Sequence, residues 1–245
     1  IVAVLDEAFA GIATATANAQ KNLTNARALF KGYLQTVFEH RGEGWRDTKI
    51  GDIAAIKGGK RVPKGYKLSN EATPYPYISV SEFTDDGTID PSKMRYISDD
   101  IHRQIRRYII RSEDLYVSIA GTIGKTGIIP SELDGANLTE NACRLVFKSG
   151  VFNRFVYYFT LTTSFKEQAI EQTRTAAQPK LALSRLQEIQ IGVPDLDQQR
   201  ILVLAFDRAL AEVRTLERLY TRKLAALAEL KQSLLQKAFA GELTQ

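Results

Sequence analysis

The chain has 245 residues, enough for one or two domains, and its 44% hydrophobic and 25% charged residues are the balance of an ordinary globular protein. Its net charge of +5 and isoelectric point of about 9.2 suit a partner that carries phosphates. No run of about 18 apolar residues is present, which excludes a membrane span; Cys143 stands alone with only His40 and His102, which excludes an internal disulfide and a cysteine-built metal site and points to a reducing cytoplasm.

The apolar opening stretch is not read as a signal peptide, because Asp6 and Glu7 interrupt it and no basic residue precedes it. Residues 1–41 contain no proline and are rich in good helix formers, so they are expected to form one long helix. Its apolar stripe is Leu5, Ile12, Ala19, Leu23, Ala26, Phe30 and Val37. Gly42 and Gly44 before Trp45 are the glycines that helix C-termini prefer.

Residues 42–194 hold all seven prolines and most of the aromatics, and read as a separate α+β domain. Strands are expected at residues 75–80, 115–119, 126–129 and 144–147, and helices at 151–163, 165–173 and 183–188. Two basic clusters stand out. Lys57, Lys60, Arg61, Lys64 and Lys67 occur in a glycine-rich stretch without an acid, expected to be a loop; Arg103, Arg106, Arg107 and Arg111 lie near His102 and Tyr108. Such cations suit contacts to phosphates and base edges. The competing reading is a solvated surface balanced by Asp85, Asp86, Asp99 and Asp100.

The stretch IAGTIGKTG, residues 119–127, imitates a nucleotide-binding P-loop. A P-loop needs four residues between its glycines and a helix after its lysine. Here two residues separate Gly121 from Gly124, Ile119 occupies the place of a glycine, and a strand pattern follows Lys125. The expected structure is a hairpin with Thr122 and Lys125 at its tip, free to touch a phosphate.

Residues 195–245 are expected to form a second long helix, started by Asp195 as cap with Gln198 in a capping box. Val213, Leu216, Tyr220, Leu227, Leu230 and Leu234 are its apolar positions, with Lys223 a polar interruption. Residues 203–239 repeat residues 2–38 in one ungapped register, with identities that include Asp6 with Asp207, Leu34 with Leu235, and Phe38 with Phe239. Helices of about 60 Å exceed a small domain, and the simplest partner for each is the other copy; the alternative is two ordinary bundle helices. The first residue is Ile, and the first copy lacks the cap of the second, so an upstream region is expected.

The chain resembles the specificity subunit of type I restriction-modification systems over essentially its full length. The resemblance rests on LDEAFAGIATATANAQKNLTNARALFKGYLQTVF with GEGW, then Lys49-Ile-Gly-Asp-Ile53, Tyr75-Pro-Tyr-Ile78, the segment from Ser112 to Lys125, Ala177-Gln-Pro-Lys-Leu181, Ile191-Gly-Val-Pro194, and the terminal segment from Leu234 to Leu243. It departs from the family at Asp197-Gln198-Gln199, where Glu-Gln is usual, and an effect on a cap at most is expected. The resemblance implies a mixed α/β target recognition domain flanked by two long helices pairing as an antiparallel coiled coil. It implies that the domain reads one half of a split target in double-stranded DNA. The helices would set spacing and dock methyltransferase subunits, and through them a restriction and translocation subunit. No catalysis, cofactor or metal is implied, and the Walker-like segment is a common feature of the family's recognition domains that is not an ATP site.

The residues agree with that non-catalytic role. No methylase clamp motif, no methyl-donor glycine loop and no Ser-His-Asp set stands out, and Asp85-Asp86 lacks a convincing lysine partner for a nuclease site. The candidate DNA contacts are Lys57, Lys60, Arg61, Lys64, Lys67, Arg103, Arg106, Arg107, Thr122, Lys125 and Lys180. Self-association through the helices is a further possible partnership. The competing function is a coiled-coil scaffold with a protein-binding head; an ATPase using Lys125 is the third.

Overall fold

The computed structural model describes residues 2–171 and 181–242. Its elements run in the order α1 (Val2–Glu39), β1 (Arg46–Lys49), α2 (Ile50–Ile53), β2 (Ala54–Gly58), β3 (Pro76–Ile78), β4 (Arg95–Tyr96), α3 (Asp99–Ile105), β5 (Leu115–Ser118), β6 (Thr126–Gly127), β7 (Asn137–Leu138), β8 (Ala142–Phe147), α4 (Asn153–Thr160), α5 (Thr163–Glu171), α6 (Leu183–Gln187), β9 (Gln190–Val193) and α7 (Leu196–Phe239). The chain divides into two compact units. One is built from α1 up to Tyr33 and α7 from Ala205 onward; the other is Leu34–Leu204.

In the helical unit, Arg27 Nε meets Glu217 Oε1 at 2.6 Å, and the Tyr33 ring meets Phe206 edge-on with centroids 5.6 Å apart. These pairs ascend on one helix as they descend on the other, so the two run antiparallel. Ile12, Ala19, Leu23, Ala26 and Phe30 are buried on α1, as the apolar stripe requires. On α7 the covered positions alternate by three and four: Phe206, Leu210, Val213, Glu217, Tyr220, Leu224 and Leu227. Leu216 and Leu230, assigned to that stripe from the sequence, lie outside the alternation and are exposed, as is Lys223. The polar residue within the stripe is Glu217, kept there by Arg27.

Among its described residues, the second unit contains three sheets. β1 pairs antiparallel with β9, Arg46 facing Val193 and Lys49 facing Gln190, so the two ends of this unit are sewn together. β2, β8, β5 and β6 form an antiparallel sheet in that order. β3 pairs antiparallel with β4 and parallel with β7. A core of Ile78, Phe83, Ile89, Ile110, Tyr116, Ile129, Leu138 and Ala142 sits between the last two sheets, with Phe83 and Tyr116 stacked at 3.9 Å between centroids. The ends of the long helices that belong to this unit are fastened into it. Phe38 packs on Trp45, Phe155 and Phe159 at 5.9, 5.1 and 5.5 Å between centroids, after a chain reversal at Gly44, whose φ is 83°.

The Asp195 cap forms as expected, its carboxylate accepting the Gln198 N–H at 2.8 Å. Gln199 does more than affect a cap. It is fully buried, accepts the Phe152 N–H at 2.8 Å, and donates to the carbonyls of Gly150 at 3.0 Å and Pro194 at 2.9 Å. The expected strands and helices of this unit are present with altered bounds: β8 begins two residues earlier than expected, at Ala142, α5 begins two residues earlier, at Thr163, and the others are shorter; residues 172 and 173 of the expected helix lie outside the described residues. β1, β2, β4, β7 and β9 and the helices α2 and α3 have no counterpart among them, because each is short and its own apolar pattern is weak.

Candidate nucleic-acid interface

The first basic cluster is not all loop. Lys57 and Gly58 belong to β2, paired with Arg144 and Cys143 of β8, and the irregular segment begins at Gly59. A methyl group on Gly59 would overlap the carbonyl oxygens of Leu138 and Thr139, so only glycine lets the chain turn there. The next residue is held on three sides. The Lys60 N–H donates to the Leu138 carbonyl at 2.8 Å, the Tyr77 hydroxyl donates to the Lys60 carbonyl at 2.9 Å, and the Lys60 ammonium lies 5.9 Å from the centre of the Tyr108 ring.

Tyr108 connects the two basic clusters. Tyr77, Ile97, Ile101 and Ile105 form a small core against which Val62 and Leu68 of the first segment pack together with Tyr75 and Tyr108. Ile101 and Ile105 face inward from α3, which leaves Arg103, Arg106 and Arg107 exposed at its end. Segments about 40 residues apart in sequence thus share one apolar base, with Lys60 on one side of Tyr108 and Arg106 and Arg107 preceding it in the chain.

Acids divide the candidates into two groups. Arg61 pairs with Glu140, which raises the guanidinium's affinity for its proton; Arg103 pairs with Asp99 and with Asp100, the latter at 3.1 Å. Lys125 reaches Asp85 at 2.8 Å and the Phe83 carbonyl at 3.3 Å, and its hydrogen bond holds the Asp85 carboxyl below its ordinary value. Of the acids named from the sequence as balancing charges, Asp99 and Asp100 balance Arg103 and Asp85 balances Lys125, whereas Arg61 is balanced by Glu140, which is not among them. Lys57, Lys60, Lys64, Lys67, Arg106 and Arg107 are exposed and carry no ion pair among the described residues. Lys180 lies outside the described residues.

The P-loop imitation is a hairpin. β5 pairs antiparallel with β6, and Gly121 and Gly124 turn the chain with φ of 74° and 84°. Ser118 locks it, its hydroxyl accepting the Lys125 N–H at 2.8 Å and donating to the Thr122 carbonyl. Thr122 is exposed at the turn; Lys125 is half-buried at its base and engaged, not free at the tip. Strand β6, not a helix, directly follows the lysine, so the amides a nucleotide phosphate needs are not supplied there. The reading that Asp85-Asp86 lacks a lysine partner is corrected by the Lys125 contact, although no cluster of three metal-ligating side chains exists among the described residues.

Beside the basic face sits an ordered polar group that composition did not single out as a unit. The His102 ring stacks on Tyr75 with centroids 4.1 Å apart and 15° between planes. His102 Nδ1 lies 2.8 Å from Asn137 Oδ1, and Asn137 Nδ2 donates to the Ile105 carbonyl at 3.0 Å. The Tyr75 hydroxyl donates to Asp99 at 2.8 Å and is the main cause holding that carboxyl below its ordinary value.

The family model for the type I restriction modification DNA specificity domain matches residues 42–220. The chain belongs to this family. Among similar members, the EcoBI specificity subunit of a type I restriction enzyme from Escherichia coli is 27% identical over 212 residues, covering 82% of this chain and 42% of its own length. The EcoDI specificity subunit, also from Escherichia coli, is 32% identical over 96 residues, covering 39% of this chain and 22% of its own. Among solved structures, a chain from a study of complex assembly and conformational transition in the type I R-M system superposes with a TM-score of 0.82 at 20% identity, covering 98% of this chain and 58% of that one. The HsdS subunit of Thermoanaerobacter tengcongensis superposes with a TM-score of 0.67 at 21% identity, covering 98% and 57%. This specificity-family chain therefore spans about half the length of its relatives. Its fold is theirs: a sheet-containing domain between two long helices.

Proposed function

We propose that the chain is a DNA sequence-specificity module of a type I restriction-modification complex, with residues 42–194 as its target recognition domain and residues 1–41 and 195–245 as spacer helices. The domain reads one half of a bipartite target in double-stranded DNA. The observation that carries this reading is the convergence of Lys60, Lys64, Lys67, Arg106 and Arg107, which carry no ion pair among the described residues, around one apolar base, within a family of DNA specificity domains. Their charges supply phosphate contacts, and the polar groups among them supply contacts to base edges. Lys57, Thr122 and Lys180 are further contacts. Arg61, Arg103 and Lys125 must first exchange their acids for phosphates.

The helices pair as an antiparallel coiled coil; the three-four alternation on α7 supports this. They fix spacing and dock methyltransferase subunits, which bring a restriction and translocation subunit. Leu216, Leu219 and Leu230, exposed on α7, suit such a protein partner. Phe239, the repeat counterpart of Phe38, is 89% exposed, which favours self-association or a second recognition domain at that end. Chemistry is delegated to the partners, in the cytoplasm; among the described residues no helix is long and apolar enough to cross a membrane.

Competition between specific and random duplexes, followed by fluorescence anisotropy with the methyltransferase subunits present, tests the proposal. A preference for one sequence is expected, and equal affinity for all duplexes overturns it. If DNA activity survives neutralisation of Lys57, Lys60, Arg61 and Lys64, the scaffold with a protein-binding head replaces it.

A further inference from the structure

The Asn137 side chain is fully buried, and both of its ends are committed. A backbone carbonyl only accepts, so the atom 3.0 Å from the Ile105 carbonyl is the amide nitrogen. The amide oxygen therefore faces His102, and at 2.8 Å it must receive a proton from Nδ1. This fixes the neutral imidazole as the Nδ1–H tautomer and leaves Nε2 as a lone-pair acceptor. The ring is half-buried, yet no side-chain nitrogen or oxygen among the described residues is both buried and unpartnered. No partner of Nε2 exists among the described residues, so this atom is open to solvent.

The ring cannot easily turn away. Tyr75 lies flat against it at 4.1 Å, and the Tyr75 hydroxyl is itself anchored on Asp99. His102 is on α3, with Asp99 three residues before it and Arg106 four after, so it shares a helix face with a free cation of the basic surface. A rigid, oriented acceptor among exposed cations is what base reading requires, because lysine and arginine offer only donors.

We infer that His102 is a specificity-determining residue that reads a base amino group, adenine N6 or cytosine N4, through Nε2, with Asn137 and Tyr75 as its positioning residues. An acceptor discriminates for those groups and against the carbonyl oxygens of guanine and thymine. This rests on the DNA-reading function proposed above.

Selection from random duplexes, using the full chain with its methyltransferase subunits at pH 8, tests it. The wild type is expected to prefer adenine or cytosine at one position. His102→Phe keeps a ring against Tyr75 and removes the acceptor. It should relax that single position by roughly three- to tenfold, the loss of one hydrogen bond, and change affinity for random duplex less than about twofold. His102→Arg, which replaces acceptor by donor, should shift the preference at that position to guanine, and it decides the matter if thermal unfolding shows that the Phe variant has not folded. An unchanged base preference in the folded variants overturns the inference while leaving the proposed function intact. A wild type without any preference overturns both.

Discussion

Arg144 Nη1 donates to Asp114 Oδ2 at 3.1 Å, with only 11% and 2% of the two side chains exposed. The same carboxylate accepts the Arg111 N–H at 2.9 Å. Burial raises the carboxyl's affinity for its proton, opposed by that N–H and by Arg144. Removing one partner leaves the other charge buried without compensation. Arg144→Met should therefore destabilise the protein by about 3–5 kcal/mol, whereas the double change Asp114→Leu with Arg144→Met should cost much less. A urea-unfolding double-mutant cycle measures both, and additive costs would show that the pair is not coupled.

The repeat supplies an internal control for packing. Phe38 is buried among Trp45, Phe155 and Phe159, and its counterpart Phe239 is 89% exposed. Phe38→Ala should cost about 3–5 kcal/mol in thermal or urea unfolding. Phe239→Ala, at an equivalent place in the sequence, should change the stability of the isolated chain by less than about 0.5 kcal/mol.

Stability should depend on Asp134 with a defined sign. The Ser112 N–H and the Arg111 guanidinium, each 2.8 Å from this carboxylate, hold its pKa below the ordinary value. The folded state thus binds that proton more weakly than the unfolded state. The contribution is present above the ordinary aspartate range and is lost as pH falls through the folded pKa. Asp134→Asn should lower the melting temperature at pH 7, and its difference from wild type should shrink as pH falls below the ordinary aspartate range. A difference that grows on acidification contradicts this.

The free and paired cations should separate in a salt titration of DNA binding. Removing a cation that meets one phosphate reduces the slope of log affinity against log salt by about 1. Lys60→Ala, Lys64→Ala, Arg106→Ala and Arg107→Ala should each do so. Arg61→Ala and Arg103→Ala should reduce it less, because each frees an acid that already satisfied the cation. Equal slopes across both sets would show that local ion pairs do not govern which cations meet DNA.

Much of the architecture is legible in the sequence because it is written in local periodicity. The repeat, the proline-free helices, the Asp195 cap and the glycine spacing around Lys125 are patterns within short windows. Periodicity alone puts the α7 stripe one residue off at Leu216 and includes the exposed Leu230, since any leucine near the seam fits a loose heptad, and the glutamate at position 217 looks solvent-exposed until Arg27 is beside it. Strands β1, β2 and β9 are not legible. Each is four or five residues long, and its identity comes from a partner strand 85 to 147 residues away.

For the candidate site, the sequence determined which residue types were available: basic segments, a histidine near tyrosines, and a lysine after glycines that no P-loop accommodates. Only the tertiary structure decided which of them are at liberty. Glu140 and Asp85 reach Arg61 and Lys125 from segments 79 and 40 residues away, and Asn137 reaches His102 from 35 residues away. Ion pairing and tautomer choice act over about 3 Å. Chain separation carries no information at that scale until the small core beneath Tyr75 and Tyr108 has closed.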